Sequence, residues 1–245
     1  KGAVALDKSL ELRLALHGER SLQVADSHLA LAHLWRSVGD KRALESAQRA
    51  LALQLELAPD DLRQRIDYLV GVALSATADS ERPLALASIE QARDVLGQLP
   101  SPSAELRRMV YSNYANLLYR SQRYEESVKA ADVALAIERE LGWKPHPALT
   151  SALSAKALAL KHLKQFEAAL AAYDELIPVS NVLNGERNDR TATFLLNKSA
   201  LLEDLDRDDE ALALLEQARS VFDDVLAPAH PQRITVYGNL GGLCA

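Results

Sequence analysis

Small residues and large or apolar ones follow one another along this chain in a recurring frame. Ala32, Gly71, Ala115, Ala157, Ser199 and Gly241 each precede, by three positions, a large or apolar partner at Trp35, Leu74, Leu118, Leu160, Leu202 or Cys244. Successive small residues stand about 40 residues apart, a period at which one supersecondary unit is stacked on the next. The stretch from Met109 to Leu141 shows the unit most clearly. Tyr111, Tyr114, Ala115 and Leu118 stand at i, i+3, i+4 and i+7, with Val110 and Leu117 beside them, which is one face of a helix. The segment Arg120-Ser121-Gln122-Arg123 interrupts this stripe, and a second one through Tyr124, Val128, Ala131, Ala134 and Leu135 runs on to Leu141. Gly142 then offers the positive φ that ends helices. The unit is an antiparallel helix pair, with Ala115 and Ser127 kept small where the axes approach.

The other units fit the same frame. Ala157, Leu160, Phe166, Ala169 and Tyr173 repeat it, as do Ser199, Leu202, Ala211, Leu215 and Ala218, and length differences fall in the turns. All nine prolines are expected between helices or at helix ends, because one in a helix interior costs about 3 kcal/mol. Residues 1–22 read as the second helix of a preceding unit. Five units follow at 23–59, 60–100, 101–144, 145–185 and 186–228, and 229–245 is the first helix of a sixth. Both ends are expected to be cuts within a longer array.

Composition narrows the class. Ala and Leu dominate while β-branched and aromatic residues are sparse, which favours an all-α chain. A net charge of -6 and a pI near 5.6 argue against a nucleic-acid partner, which would call for a basic stripe. The excess of Arg over Lys is common in GC-rich bacterial coding sequence. No apolar run of about 18 residues is present to span a membrane. The single cysteine, Cys244, occupies the large site of the frame and is expected to be a buried thiol.

The frame resembles the tetratricopeptide repeat, and the resemblance covers essentially the whole chain. The family's usual period is about 34 residues, so the surplus here lies in the joining stretches, among them Leu141-Gly142-Trp143-Lys144-Pro145-His146-Pro147 and Leu226-Ala227-Pro228-Ala229-His230-Pro231. These Leu-Gly and His-Pro signatures are similar to the long-helix variant of kinesin light chains and of bacterial multi-repeat signalling proteins. The resemblance implies a right-handed α-α superhelix of antiparallel helix pairs, about 12 helices in all, whose first helices line a concave binding surface. Asparagines there hold a ligand peptide by its backbone, since an amide offers a donor and an acceptor together. The residues that fall on such faces are Asn113, Asn116, Tyr119, Arg120, Lys161, His162, Asn197 and Asn239. Asn113, Asn197 and Asn239 share one frame position and are expected to form a row. The alternative is that these amides satisfy neighbouring loop carbonyls.

Lys156 and Lys198 stand where the family prefers a large apolar residue, and each either packs its stem while the ammonium reaches water or adds positive charge to the groove. Trp35 is expected in the core, and Trp143 is either a lid over helix ends or an exposed contact. Catalysis has little to stand on. His17, His28, His33, His146, His162 and His230 form no metal-ligand spacing, and no phosphate-binding loop is present. The glycines of 238–242 continue a first helix and point to close packing. The carboxylates Glu203, Asp204, Asp206, Asp208, Asp209 and Glu210 straddle a turn as a solvated face.

The expected function is a non-catalytic module, without cofactor or metal, that binds a protein or peptide. It would be the sensor or docking region of a larger bacterial signalling protein, with a serine/threonine kinase as the leading parent. The alternatives are a scaffold that self-associates through exposed array ends, and the repeat region of a bacterial transcription regulator. No compartment follows: periplasmic for the sensor of a membrane-anchored kinase, otherwise cytoplasmic.

Overall fold

The computed structural model describes residues 2–243, with side chains described from residue 5. Among the described residues there are twelve α-helices, one short 3-10 turn and no strand. In order these are α1 (Gly2–His17), α2 (Leu22–Ser37), α3 (Arg42–Leu57), α4 (Leu62–Ser75), the turn at Asp79–Glu81, α5 (Arg82–Leu96), α6 (Ala104–Arg120), α7 (Tyr124–Glu140), α8 (Pro147–His162), α9 (Phe166–Asn184), α10 (Asp189–Glu203), α11 (Asp208–Val225) and α12 (Pro231–Leu243). Two compact units divide them, Lys1–Gln122 with α1 to α6 and Arg123–Ala245 with α7 to α12. Inside each unit every helix packs on the next, and in the first unit α4 also touches both α2 and α6.

Each first helix of a pair begins with a side-chain cap. Ser21, Asp61, Ser103, His146 and Asn188 accept a hydrogen bond from the backbone N–H of Val24, Gln64, Leu106, Ala148 and Thr191, at 2.8 to 3.3 Å. Such a cap satisfies one of the N–H groups a helix start leaves open. The His-Pro pairs are caps of this kind: His146 Nδ1 accepts from Ala148, His230 Nδ1 accepts from Gln232 at 3.3 Å, and the following proline occupies a position that needs no donor.

The turns after α2, α6, α8 and α10 also follow one rule, which the connection after α4 does not share. Gly39, Gln122, Lys164 and Asp206 take positive φ, at 69°, 61°, 58° and 56°. After three of them the chain folds back on the helix it has left, with Asp40, Gln165 and Arg207 donating their N–H to the carbonyls of Trp35, Leu160 and Leu202 at 2.8 to 2.9 Å.

The small frame residues Ala32, Ala115, Ala157 and Ser199 are fully buried. A Cβ at Gly71 would sit 2.5 Å from Leu29 Cδ1, so α2 and α4 approach closely there. Gly241 departs from the expectation. Apart from neighbouring residues and backbone of α12 itself, no described atom lies within 4 Å of a Cβ at Gly238, Gly241 or Gly242, because no described helix covers that side of α12. The core of the second unit lies on the other side, where Val236 joins Ala192, Leu215, Ala218 and Phe222. Cys244 lies outside the described residues.

Two further expectations need correction. Pro178 sits inside α9, not at its end. Its ring is exposed, while Tyr173 and Leu176 before it and Val179 and Ser180 after it are buried, so packing on both sides holds the helix across the missing hydrogen bond. Trp35 is half-buried and not a core residue. Its indole face carries the Arg42 guanidinium, 4.5 Å from the ring centroid, where an apolar neighbour would stand in a closed core.

Candidate functional site

The residues singled out on the first helices divide into those already engaged and those that are not. In the first unit, Asn113, Asn116 and Arg120 fall at i, i+3 and i+7 on one face of α6, with half-buried Tyr119 next to Arg120. Asn113 Nδ2 donates to the Met109 carbonyl one turn back on its own helix, at 2.7 Å, so its donor is spent locally, although no loop carbonyl is involved. Arg120 reaches the Thr77 carbonyl at 3.2 Å and ties α6 to the segment after α4. The Asn116 amide is half-buried and makes no hydrogen bond with the described residues.

In the second unit, Lys161 and His162 lie together at the end of α8. The His162 ring stacks on Tyr124, with centroids 4.4 Å apart and planes 1° from parallel, and Lys161 faces Asp204 at 3.6 Å. Asn197 on α10 and Asn239 on α12 are half-buried, and neither amide meets a hydrogen-bond partner among the described residues. They lie one repeat apart, in the same frame position.

Lys156 and Lys198 resolve into a ladder that the sequence reading missed. Lys156 Nζ pairs with Asp132 of α7 at 2.7 Å, and Lys198 Nζ pairs with Asp174 of α9 at 2.6 Å. Each joins a first helix to the second helix of the repeat before it. The signal was present in the sequence, since both members of the pair recur together at the spacing of one repeat.

The acidic stretch 203–210 also acquires partners. Arg207 forks onto Glu210 with both bonds at 2.7 Å, which holds that carboxyl below its ordinary range, while burial raises Glu203 against the opposing pull of Lys161. Among the described residues no three His, Cys, Asp or Glu side chains are grouped to hold a metal ion. In the first unit His28 Nδ1 lies 3.2 Å from Ser46 Oγ, whose own proton goes to the His28 carbonyl at 2.9 Å. The imidazole is therefore the donor in that contact and carries its proton on Nδ1. Burial, with Arg49 nearby, pushes the His28 pKa down. At Trp143, in the loop after α7, φ is 51° and the Arg139 guanidinium lies 5.2 Å from the ring centroid.

Comparison with known proteins agrees with this architecture. Two family models described as tetratricopeptide repeat match residues 108–148 and 148–224. Among solved structures, BtubC (BKLC) from P. vanneervenii is similar with a TM-score of 0.66 at 20% identity, over 89% of this chain and 82% of that one. A Podosopora anserina protein assigned as a kinesin light chain with nearly identical TPR-like repeats gives 0.66 at 17% identity, over 81% of this chain and 94% of its own. A Rap protein complexed with Competence and Sporulation Factor gives 0.62 at 17% identity, over 99% and 69%. At these identities the likeness is one of fold. No curated protein sequence matches the chain.

Proposed function

Because the chain is an all-α array of tetratricopeptide repeats, we propose that it is a protein- or peptide-binding module whose first helices supply the contacts. The observation that carries this reading is the set of unengaged amides, Asn116 in the first unit and Asn197 and Asn239 in the second, each half-buried on a first helix. These amide atoms stay open to solvent and are not tied to the protein, and a peptide backbone would match both their donor and their acceptor. The Rap protein of the same fold holds a factor in its complex, which is consistent with an array that captures a ligand. Peptides selected by display on the whole chain test the reading. Replacing Asn197 and Asn239 of the second unit with Ala should weaken the selected peptides by about tenfold or more while leaving thermal unfolding nearly unchanged. Unchanged affinity would remove these amides from the site, and loss of folding would make them structural.

The parent we favour is a bacterial signalling protein, with the array as sensor or docking region and a serine/threonine kinase as effector. The coding sequence on either side of this segment tests it: a complete reading frame without a kinase domain would end the kinase version. A scaffold that self-associates is the second reading. It rests on exposed apolar side chains, Leu12 and Leu16 on α1 at 60% and 77% and Ile234 and Tyr237 on α12 at 65% and 47%. Sedimentation at rising concentration decides, since a constant monomer mass would sink it.

A further inference from the structure

A groove of about 680 Å³ opens in the second unit between α9 and α11, with α10 as its floor. Thr191 and Leu195 of α10 line it, whereas Asn197 lies well round that helix, so this is a different surface from the amide face above. Its apolar side is Ile177, Leu195 and Val221. Two polar atoms at its wall are buried without a hydrogen-bond partner, the acceptor Asn181 Oδ1 and the donor Arg219 Nε. One missing donor and one missing acceptor are what a peptide unit provides.

Charge narrows the occupant further. The lysine–aspartate ladder runs Asp132–Lys156, then Asp174–Lys198, and its third rung, one repeat on, is Glu216 with Leu240. Leucine has no charge to offer, and Glu216, which lines the groove, meets no cation among the described residues. Glu186 on the rim is likewise unpaired, while Arg187 is held by Asp224 and by the Ser220 carbonyl. The groove therefore offers two unpaired carboxylates beside one unpaired guanidinium, Arg219, and of these Glu216 alone stands at a ladder position that lacks its cation.

We propose that this groove binds an extended peptide segment bearing a basic side chain next to an apolar one. The basic side chain completes the third rung on Glu216, the apolar one lies on Ile177, Leu195 and Val221, and the backbone meets Asn181 and Arg219. The test is fluorescence anisotropy of a labelled, end-blocked pentapeptide Leu-Lys-Leu-Lys-Leu with the whole chain, beside the same peptide with Glu in place of Lys. The lysine peptide binds and the glutamate peptide does not. Glu216→Gln, at an exposed position, lowers affinity by about tenfold, as does Asn181→Ala, while Asn197→Ala leaves it unchanged. Leu240→Lys supplies the missing rung from within the chain and competes with the peptide. No binding of the lysine peptide, equal binding of the glutamate peptide, or no effect of Glu216→Gln overturns the proposal. Loss on Asn197→Ala in place of Glu216→Gln also overturns it and moves the peptide to the first-helix face.

Discussion

The turns after first helices store backbone strain at single residues. Lys164, with φ of 58°, takes the left-handed conformation that a Cβ disfavours by about 1 to 2 kcal/mol, where Gly39 does the same work in the first pair without that cost. Glycine gives part of the gain back through the greater freedom of the unfolded chain. Lys164→Gly is therefore expected to stabilise by about 0.5 to 1 kcal/mol, seen as a melting temperature higher by roughly 1 to 4 °C. A lower melting temperature would mean that the Lys164 side chain contributes contacts outweighing its backbone strain. This strain had no signature in the sequence, because Gln122, Lys164 and Asp206 share no residue type. Only their recurrence at the spacing of one repeat marks them as one position.

Helix pairs are held by the small residues at their crossings far more than by the charges that join them. Lys198 pairs with Asp174, but the aspartate side chain is 63% exposed, so solvent screens the pair and it contributes at most about 1 kcal/mol. Ala157, by contrast, is fully buried on α8, which packs against both α7 and α9. Ala157→Leu adds three carbons where no space exists and should cost about 1 to 3 kcal/mol in denaturant unfolding, with helix content retained in the folded state. A variant as stable as the parent would show that α8 and its neighbours can part without penalty. Elements such as α8 were legible in the sequence because small and large positions recur at helical spacing and then recur again at repeat spacing. Pro178 was not, since local propensity cannot report the burial of Tyr173, Leu176, Val179 and Ser180 that carries α9 through it. Trp35 was misread for a related reason: the frame says which face a side chain takes, not whether anything closes over it. The amide face was half legible. Its residues were named correctly as first-helix positions, but that Asn113 bonds to its own helix while Asn116 stays unengaged depends on rotamers the frame does not specify.

For the molecule as a whole, acidification sets two effects against each other. The net charge of -6 shrinks as pH falls toward the pI near 5.6, which relieves self-repulsion and favours the compact state. Against this, the His28 pKa is lowered in the folded protein from the ordinary value of 6.5. The unfolded chain therefore takes up a proton at this site before the folded one does. Stability from this group is fully present above the unfolded value and is lost as pH falls through the folded one. Relief of repulsion is spread over many exposed charges and weakened by salt, whereas the cost of charging the imidazole comes from its burial and from Arg49 nearby and is local. At physiological ionic strength the local effect should win, so the parent loses melting temperature between about pH 7 and pH 5.5, and His28→Gln loses less over the same window. Parallel curves for the two proteins would show that His28 titrates alike in both states, and that any acid response belongs to other groups, among them His33, whose pKa burial also lowers.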